Sequence, residues 1–127
     1  MSKTIINSSK APAPIGPYSQ AVAAAGMLFI SGQIAINQAT GQLVSESIEA
    51  ETEQVMQNLQ HILQEAGIDF SKVLKCSIFV KDLGNFARIN EVYGRYFQAE
   101  AAPARETVEV SRLPKDVNVE ISCIALL

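Results

Sequence analysis

The closing stretch from Val117 to Leu127 constrains the fold more than any other. Val117, Val119, Ile121, Cys123, Ala125 and Leu127 recur at every second position. That is the period of a β-strand with one face in a hydrophobic core. The intervening set includes Glu120, Ser122, Ile124 and Leu126. This second face is too polar for a dry core and too apolar for open solvent. A sheet built around this strand therefore has a core on one side and an interface with clefts on the other.

The elements upstream say what covers the first face. Ile48, Thr52, Val55, Leu59, Ile62, Leu63 and Ala66 follow helical spacing, with Ser45 or Ser47 as a cap and Gly67 as a stop. Glu46, Glu49 and Glu51 suit the positive end of that helix. His61, the single histidine, falls off the stripe and reads as a solvated surface residue. Val73 to Lys81 alternates as a strand, with Leu74, Cys76, Ile78 and Val80 on one face and Val73 and Phe79 on the other. A second helix follows, capped by Asp82 or Asn85, with a stripe of Phe86, Ile89, Tyr93, Tyr96 and Phe97 and with Asn90 at its edge. Before the first helix lie a short strand at Lys3 to Asn7, a proline-stiffened loop from Lys10 to Pro17, and a hairpin flanking Gly26. The order predicts an α+β two-layer sandwich, a mostly antiparallel sheet with both helices on one face.

At 127 residues, the chain is read as a single domain spanning 1–127. Hydrophobic residues make up 48% and charged residues 18%, which places it among globular chains. A net charge of −3 without a basic cluster disfavours nucleic acid as a partner. No apolar run reaches membrane-spanning length and no signal peptide opens the sequence, so a cytoplasmic protein is expected. Cys76 and Cys123 each sit in an apolar strand pattern and read as free buried thiols. With one histidine and no closely spaced cysteine pair, neither a metal nor another cofactor is expected.

The candidate chemistry lies in the last quarter. Pro103 to Val110 and Val117 to Ile121 read as the two arms of a β-hairpin turning near Leu113-Pro114. If Val108 and Val110 face the core, Arg105 and Thr107 point away from it, as does Glu120. Thr107 then lies opposite Glu120, with Arg105 diagonal to both. Spacing alone leaves two readings open. One is an exposed cross-strand ion pair of little consequence. The other is a guanidinium and a carboxylate that hold a small carboxylate ligand and a water.

Four stretches resemble the reactive-intermediate deaminase A family, also called the YjgF or RidA family. They are Ile15 to Ala21 (Ile-Gly-Pro-Tyr-Ser-Gln-Ala), Ser31-Gly32-Gln33, Ile78 to Leu83, and Pro103-Ala104-Arg105 through Leu113-Pro114 to Val119-Glu120-Ile121. Asn90 in Ile89-Asn90-Glu91-Val92-Tyr93 matches as well. The resemblance covers essentially the whole chain. It implies a chorismate-mutase-like homotrimer with sites in the clefts between subunits. It also implies hydrolysis of 2-iminobutanoate and 2-iminopropanoate to 2-oxo acids and ammonia, the imines being released by pyridoxal-phosphate-dependent dehydratases. Arg105 matches the family's carboxylate-binding arginine and Glu120 its water-positioning glutamate. Tyr18, Ser31, Gly32, Asn90 and Thr107 match other positions of the cleft. Many members carry a cysteine where this chain has Thr107, so backbone groups are the expected contribution there. Glu106 is expected to add negative charge at the cleft mouth.

The chemistry suits these residue types. An arginine grips a carboxylate through two parallel hydrogen bonds, a geometry lysine lacks. A carboxylate beside the imine carbon can orient water and move its proton. Ser31 has no histidine placed to make it a nucleophile. Two rival classes stay open: a non-catalytic 2-oxo-acid-binding regulator, for which Glu120 has no evident use, and a ribonuclease or translation inhibitor, which the acidic charge and lone His61 oppose.

Overall fold

In the structure, a computed structural model that describes residues 2–127, the longest element begins where the sequence supplies its cap. The Ser47 hydroxyl accepts a hydrogen bond from Ala50 N at 3.0 Å and starts α1 (Ile48–Glu65). The chain leaves the helix through Gly67, whose φ of 79° is a conformation glycine adopts without strain. Of the stripe read from spacing, Val55, Leu59, Ile62 and Leu63 are inaccessible to solvent, and so is Met56, which that stripe did not include. His61 is partly buried rather than solvated, and its Nδ1 is shielded without a hydrogen-bond partner.

The strands are β1 (Thr4–Ile6), β2 (Ala21–Ala24), β3 (Met27–Gln33), β4 (Ile36–Asn37), β5 (Gln42–Leu43), β6 (Val73–Val80), β7 (Ala104–Glu109) and β8 (Val119–Leu126). Between β6 and β7 comes α2 (Phe86–Gly94), led in by a single turn of 3-10 helix that Asp82 caps through Gly84 N. Six strands form one sheet in the order β1-β2-β3-β8-β6-β7, and β4 and β5 form a small separate ribbon. Every pairing in the large sheet is antiparallel except β6 with β7. The α+β architecture is as expected. Leu28, Ile78, Ile121 and Ala125 from the sheet meet the α1 stripe in one core.

The closing hairpin is not there. β6 lies between β7 and β8 and pairs with both. The β6–α2–β7 segment is a crossover unit, as two parallel strands require. The chain then returns past the end of β6 before entering β8. Sequence proximity suggested direct pairing, but Cys76, Ile78 and Val80 are almost fully buried, and β6 takes an interior position, second from the edge, that such burial demands.

This topology changes which side chains share a face. Partners in register point the same way. Cys76, Ile78 and Val80 face the helices, so their β7 partners Arg105, Thr107 and Glu109 do as well. Val108, expected in the core, pairs with Phe79 on the far side and is exposed. The far side also carries Glu120, Ser122 and Ile124. An irregularity between Val73 and Lys75 reverses the expected alternation at the start of β6. Val73 is therefore in the core and Leu74 is exposed. Leu127 lies beyond β8 and is exposed too.

Two buried side chains fix the surroundings of the far face. The Gln20 amide accepts from Ser8 N at 2.7 Å and donates to the carbonyls of Ser8, Ala11 and Pro12. It thereby pins the proline-rich loop. Glu51 accepts from Asn118 N at 2.7 Å, Asn118 Nδ2 at 2.9 Å and Val119 N at 3.1 Å. This ties the start of α1 to the start of β8, one residue before Glu120.

Candidate functional site

The pinned loop, the end of β3 and the start of β8 enclose a cleft of about 400 Å³ on the sheet face away from the helices. Tyr18, Ser31, Gly32 and Glu120 line it, joined by an apolar wall that includes Ile15, Ile34, Ile36 and Pro114. Sequence reasoning supplied the four polar and glycine positions but not that wall, whose residues carry no chemical signal of their own.

Each of the four is held by local structure. The Tyr18 hydroxyl accepts from Ile15 N at 3.3 Å, folding the ring back over the loop. Ser31 N donates to Gln20 O at 2.9 Å, and its hydroxyl donates to Ser19 O at 2.6 Å. A hydroxyl spent on a carbonyl in this way is a strut rather than a nucleophile. Gly32 sits where the β3–β8 register shifts, between Ile30 and Gln33. A Cβ there would lie 2.7 Å from the Glu120 Cδ and Oε2. The absence of a side chain at Gly32 is what admits the carboxylate.

Glu120 is half-buried and has no ion-pair partner among the described residues. Desolvation by burial raises its pKa above the usual carboxylate value. A carboxylate in that condition is a better proton acceptor than a solvated one.

Arg105, Asn90 and Thr107 are elsewhere. Arg105 projects from edge strand β7 on the helix side, and its Nη1 donates to Asn90 Oδ1 on α2 at 2.5 Å. Its Cζ lies 5.5 Å from the Phe86 ring centre and 5.3 Å from that of Tyr93. Thr107 follows on the same face, its Oγ1 buried without a hydrogen-bond partner. Beneath them Cys76 and Cys123 are in register across β6 and β8 as free buried thiols. Cys76, by hydrogen bonding, and then burial push the Cys123 thiol up. Glu106 points to the far face, where it pairs with Lys75 at 3.2 Å and accepts from Ser77. These contacts, Ser77 foremost, hold its carboxyl below the usual range, and they take its charge away from Arg105.

The predicted site thus divides in two. Tyr18, Ser31, Gly32 and Glu120 share one cleft, while Arg105, Asn90 and Thr107 share the opposite face of the sheet. The diagonal juxtaposition of Arg105 and Glu120 expected from a hairpin does not occur within one chain. Among the described residues, no group of three or more His, Cys, Asp or Glu side chains is arranged to hold a metal, and no helix is long and apolar enough to cross a membrane.

A family model described as Endoribonuclease L-PSP matches residues 8–127. A RutC family protein of Synechocystis is 50% identical over 128 residues, spanning 100% of this chain and 98% of its own. A Bos taurus protein named 2-iminobutanoate/2-iminopropanoate deaminase is 44% identical over 124 residues, spanning 98% of this chain and 90% of its own. A solved structure of a Rid family protein from Yersinia pestis aligns with a TM-score of 0.96 at 45% identity, covering 99% of this chain and 100% of that one.

Proposed function

This chain belongs to the Rid (YjgF) family, whose model is described as Endoribonuclease L-PSP, and from that premise we propose that it hydrolyses short 2-imino acids to 2-oxo acids and ammonia in the cytoplasm. The observation that carries the reading is Glu120: a half-buried carboxylate with raised proton affinity and no neutralising partner among the described residues, in a cleft opened for it by Gly32. A purely structural carboxylate would be paired or solvated.

Arg105 takes the substrate carboxylate through two parallel hydrogen bonds and so fixes the imine carbon in position. Glu120 orients a water against that carbon. The water oxygen bonds to the carbon of the protonated imine, the carbon–nitrogen π pair moves to nitrogen, and one water proton passes to the carboxylate, giving a neutral carbinolamine. The carboxyl group returns that proton to nitrogen, and the carbon–nitrogen bond then breaks with its electron pair leaving on ammonia while the regenerated carboxylate takes the hydroxyl proton, which passes to solvent, releasing ammonia and the 2-oxo acid. The Ile15, Ile34 and Ile36 wall receives the short aliphatic chain, with Tyr18 at its edge. Thr107 supplies backbone groups beside the carboxylate.

Because Arg105 and Glu120 lie on opposite faces, the site needs two chains: the Glu120 cleft of one subunit receives the Arg105 edge of the next. The far face suits this. Ile5, Val22, Phe29 and Ile124 form an apolar row across it, with Ile5 and Phe29 exposed to 51% and 46% in the single chain. A homotrimer closes such a heterologous contact into a ring. The deciding experiment is ammonia release from 2-iminobutanoate generated in place by a pyridoxal-phosphate-dependent dehydratase. Release faster than the uncatalysed hydrolysis is expected, and equal rates would exclude the activity.

A further inference from the structure

Phe86, Asn90 and Tyr93 stand at i, i+4 and i+7 on α2 and therefore share one face of the helix. Their spacing puts the Cα atoms of Phe86 and Tyr93 about 10.5 Å apart along the axis. The Arg105 Cζ lies between them, 5.5 Å from one ring centre and 5.3 Å from the other, while Asn90 holds Nη1 from the helix turn in between. Among the described residues the Nη2 and Nε donors of Arg105 meet no protein acceptor. Phe86 is 39% exposed, whereas its stripe neighbours Ile89 and Tyr93 are buried. Core packing does not account for a half-open aromatic ring at that place.

We propose that Phe86 and Tyr93 are positioning residues that clamp the Arg105 guanidinium from two sides, so that its unpaired edge is presented ready for a planar carboxylate. This deepens the reading of Arg105 as the carboxylate anchor and rests on it. Arg105 springs from an edge strand and is itself exposed. A long arginine in that setting populates many rotamers, and ligand binding would have to freeze them. The rings attract the cation through their π faces and exclude the rotamers that swing outward. Asn90 fixes rotation about the remaining axis. The binding fork is then organised before the ligand arrives.

Phe86→Leu tests this without opening the core, because it keeps an apolar side chain at a half-exposed position and removes only the ring. Its affinity for 2-oxobutanoate, read by titration calorimetry, should fall about five- to tenfold. KM for 2-iminobutanoate should rise by a similar factor, with kcat altered by less than about threefold. Phe86→Tyr, which keeps the π face, should restore both to within about twofold of the parent. The Arg105 Nε–H resonance supplies a readout independent of turnover: ring currents should shift it in the parent, and Phe86→Leu should return it toward free arginine. Should the parent hydrolyse no imine while this resonance still responds to Phe86→Leu, the deaminase reading fails and the clamp stands. Unchanged 2-oxobutanoate affinity in Phe86→Leu, or an equal loss in Phe86→Tyr, overturns the clamp.

Discussion

Glu120 shows at the scale of one residue how burying a carboxylate costs stability. Its folded-state pKa is raised by burial, so the folded chain is penalised once the group ionises. The penalty is absent below the ordinary carboxylate range and grows as pH rises through the raised value. Glu120→Gln should therefore melt slightly higher than the parent at pH 7, on the order of a degree or two, and equally at pH 3. The same change should keep 2-oxobutanoate binding and lower turnover about 100-fold. Unchanged ammonia release would leave Glu120 no role in the water step. Arg105→Lys should lower kcat/KM by about 100-fold with no change in folding, since lysine keeps the charge but loses the planar fork. Gly32→Ala is the third case at this scale. Gly32 does not have positive φ, so the backbone accepts alanine, but the new Cβ meets the Glu120 carboxylate. The flexible carboxylate must swing away. Turnover should fall by about tenfold or more with little loss of melting temperature.

Between elements, the contact that matters most is Glu51 on α1 with the start of β8. Glu51 is only 2% exposed and satisfies two backbone N–H groups and the Asn118 amide. Glu51→Ala would leave those donors buried and unpaired. Urea unfolding should show a loss of about 2–4 kcal/mol with an unchanged slope. The sequence offered Glu51 only as a favourable charge at a helix N-terminus. Its tertiary role depends on β8 passing beneath α1, which helix periodicity does not reveal.

For the whole molecule, the two half-sites make the assembly testable by complementation. Arg105→Lys and Glu120→Gln chains, each about 100-fold less active alone, should regain activity when unfolded together and refolded. Random assortment in a ring pairs an intact Arg105 edge with an intact Glu120 cleft in about a quarter of sites. No recovery above the separate variants would mean that each site is complete in one chain or that no ring forms. Phe29→Glu should separate the subunits and abolish activity while the single chain stays folded, because Phe29 lies on the exposed face and outside the core.

Periodicity decided which segments are helices and strands, and it placed both helices on one face of the sheet. These are local properties of side-chain spacing. Motif matching supplied Tyr18, Ser31, Gly32, Asn90, Arg105, Thr107 and Glu120, and the structure gathers them into two coherent groups. What periodicity did not decide was the neighbour of each strand. β7 and β8 are adjacent in sequence, yet β6 separates them, because strand order is settled by which strand buries both edges rather than by the length of the connecting loop. That one difference moved Arg105 and Thr107 to the helix face and left Glu120 on the other. A bulge near Val73 likewise exchanged Val73 and Leu74, since one extra residue inverts a period of two. Side-chain chemistry is written along the chain. The face on which it is displayed depends on hydrogen bonds to strands distant in sequence, and only the tertiary structure decided that.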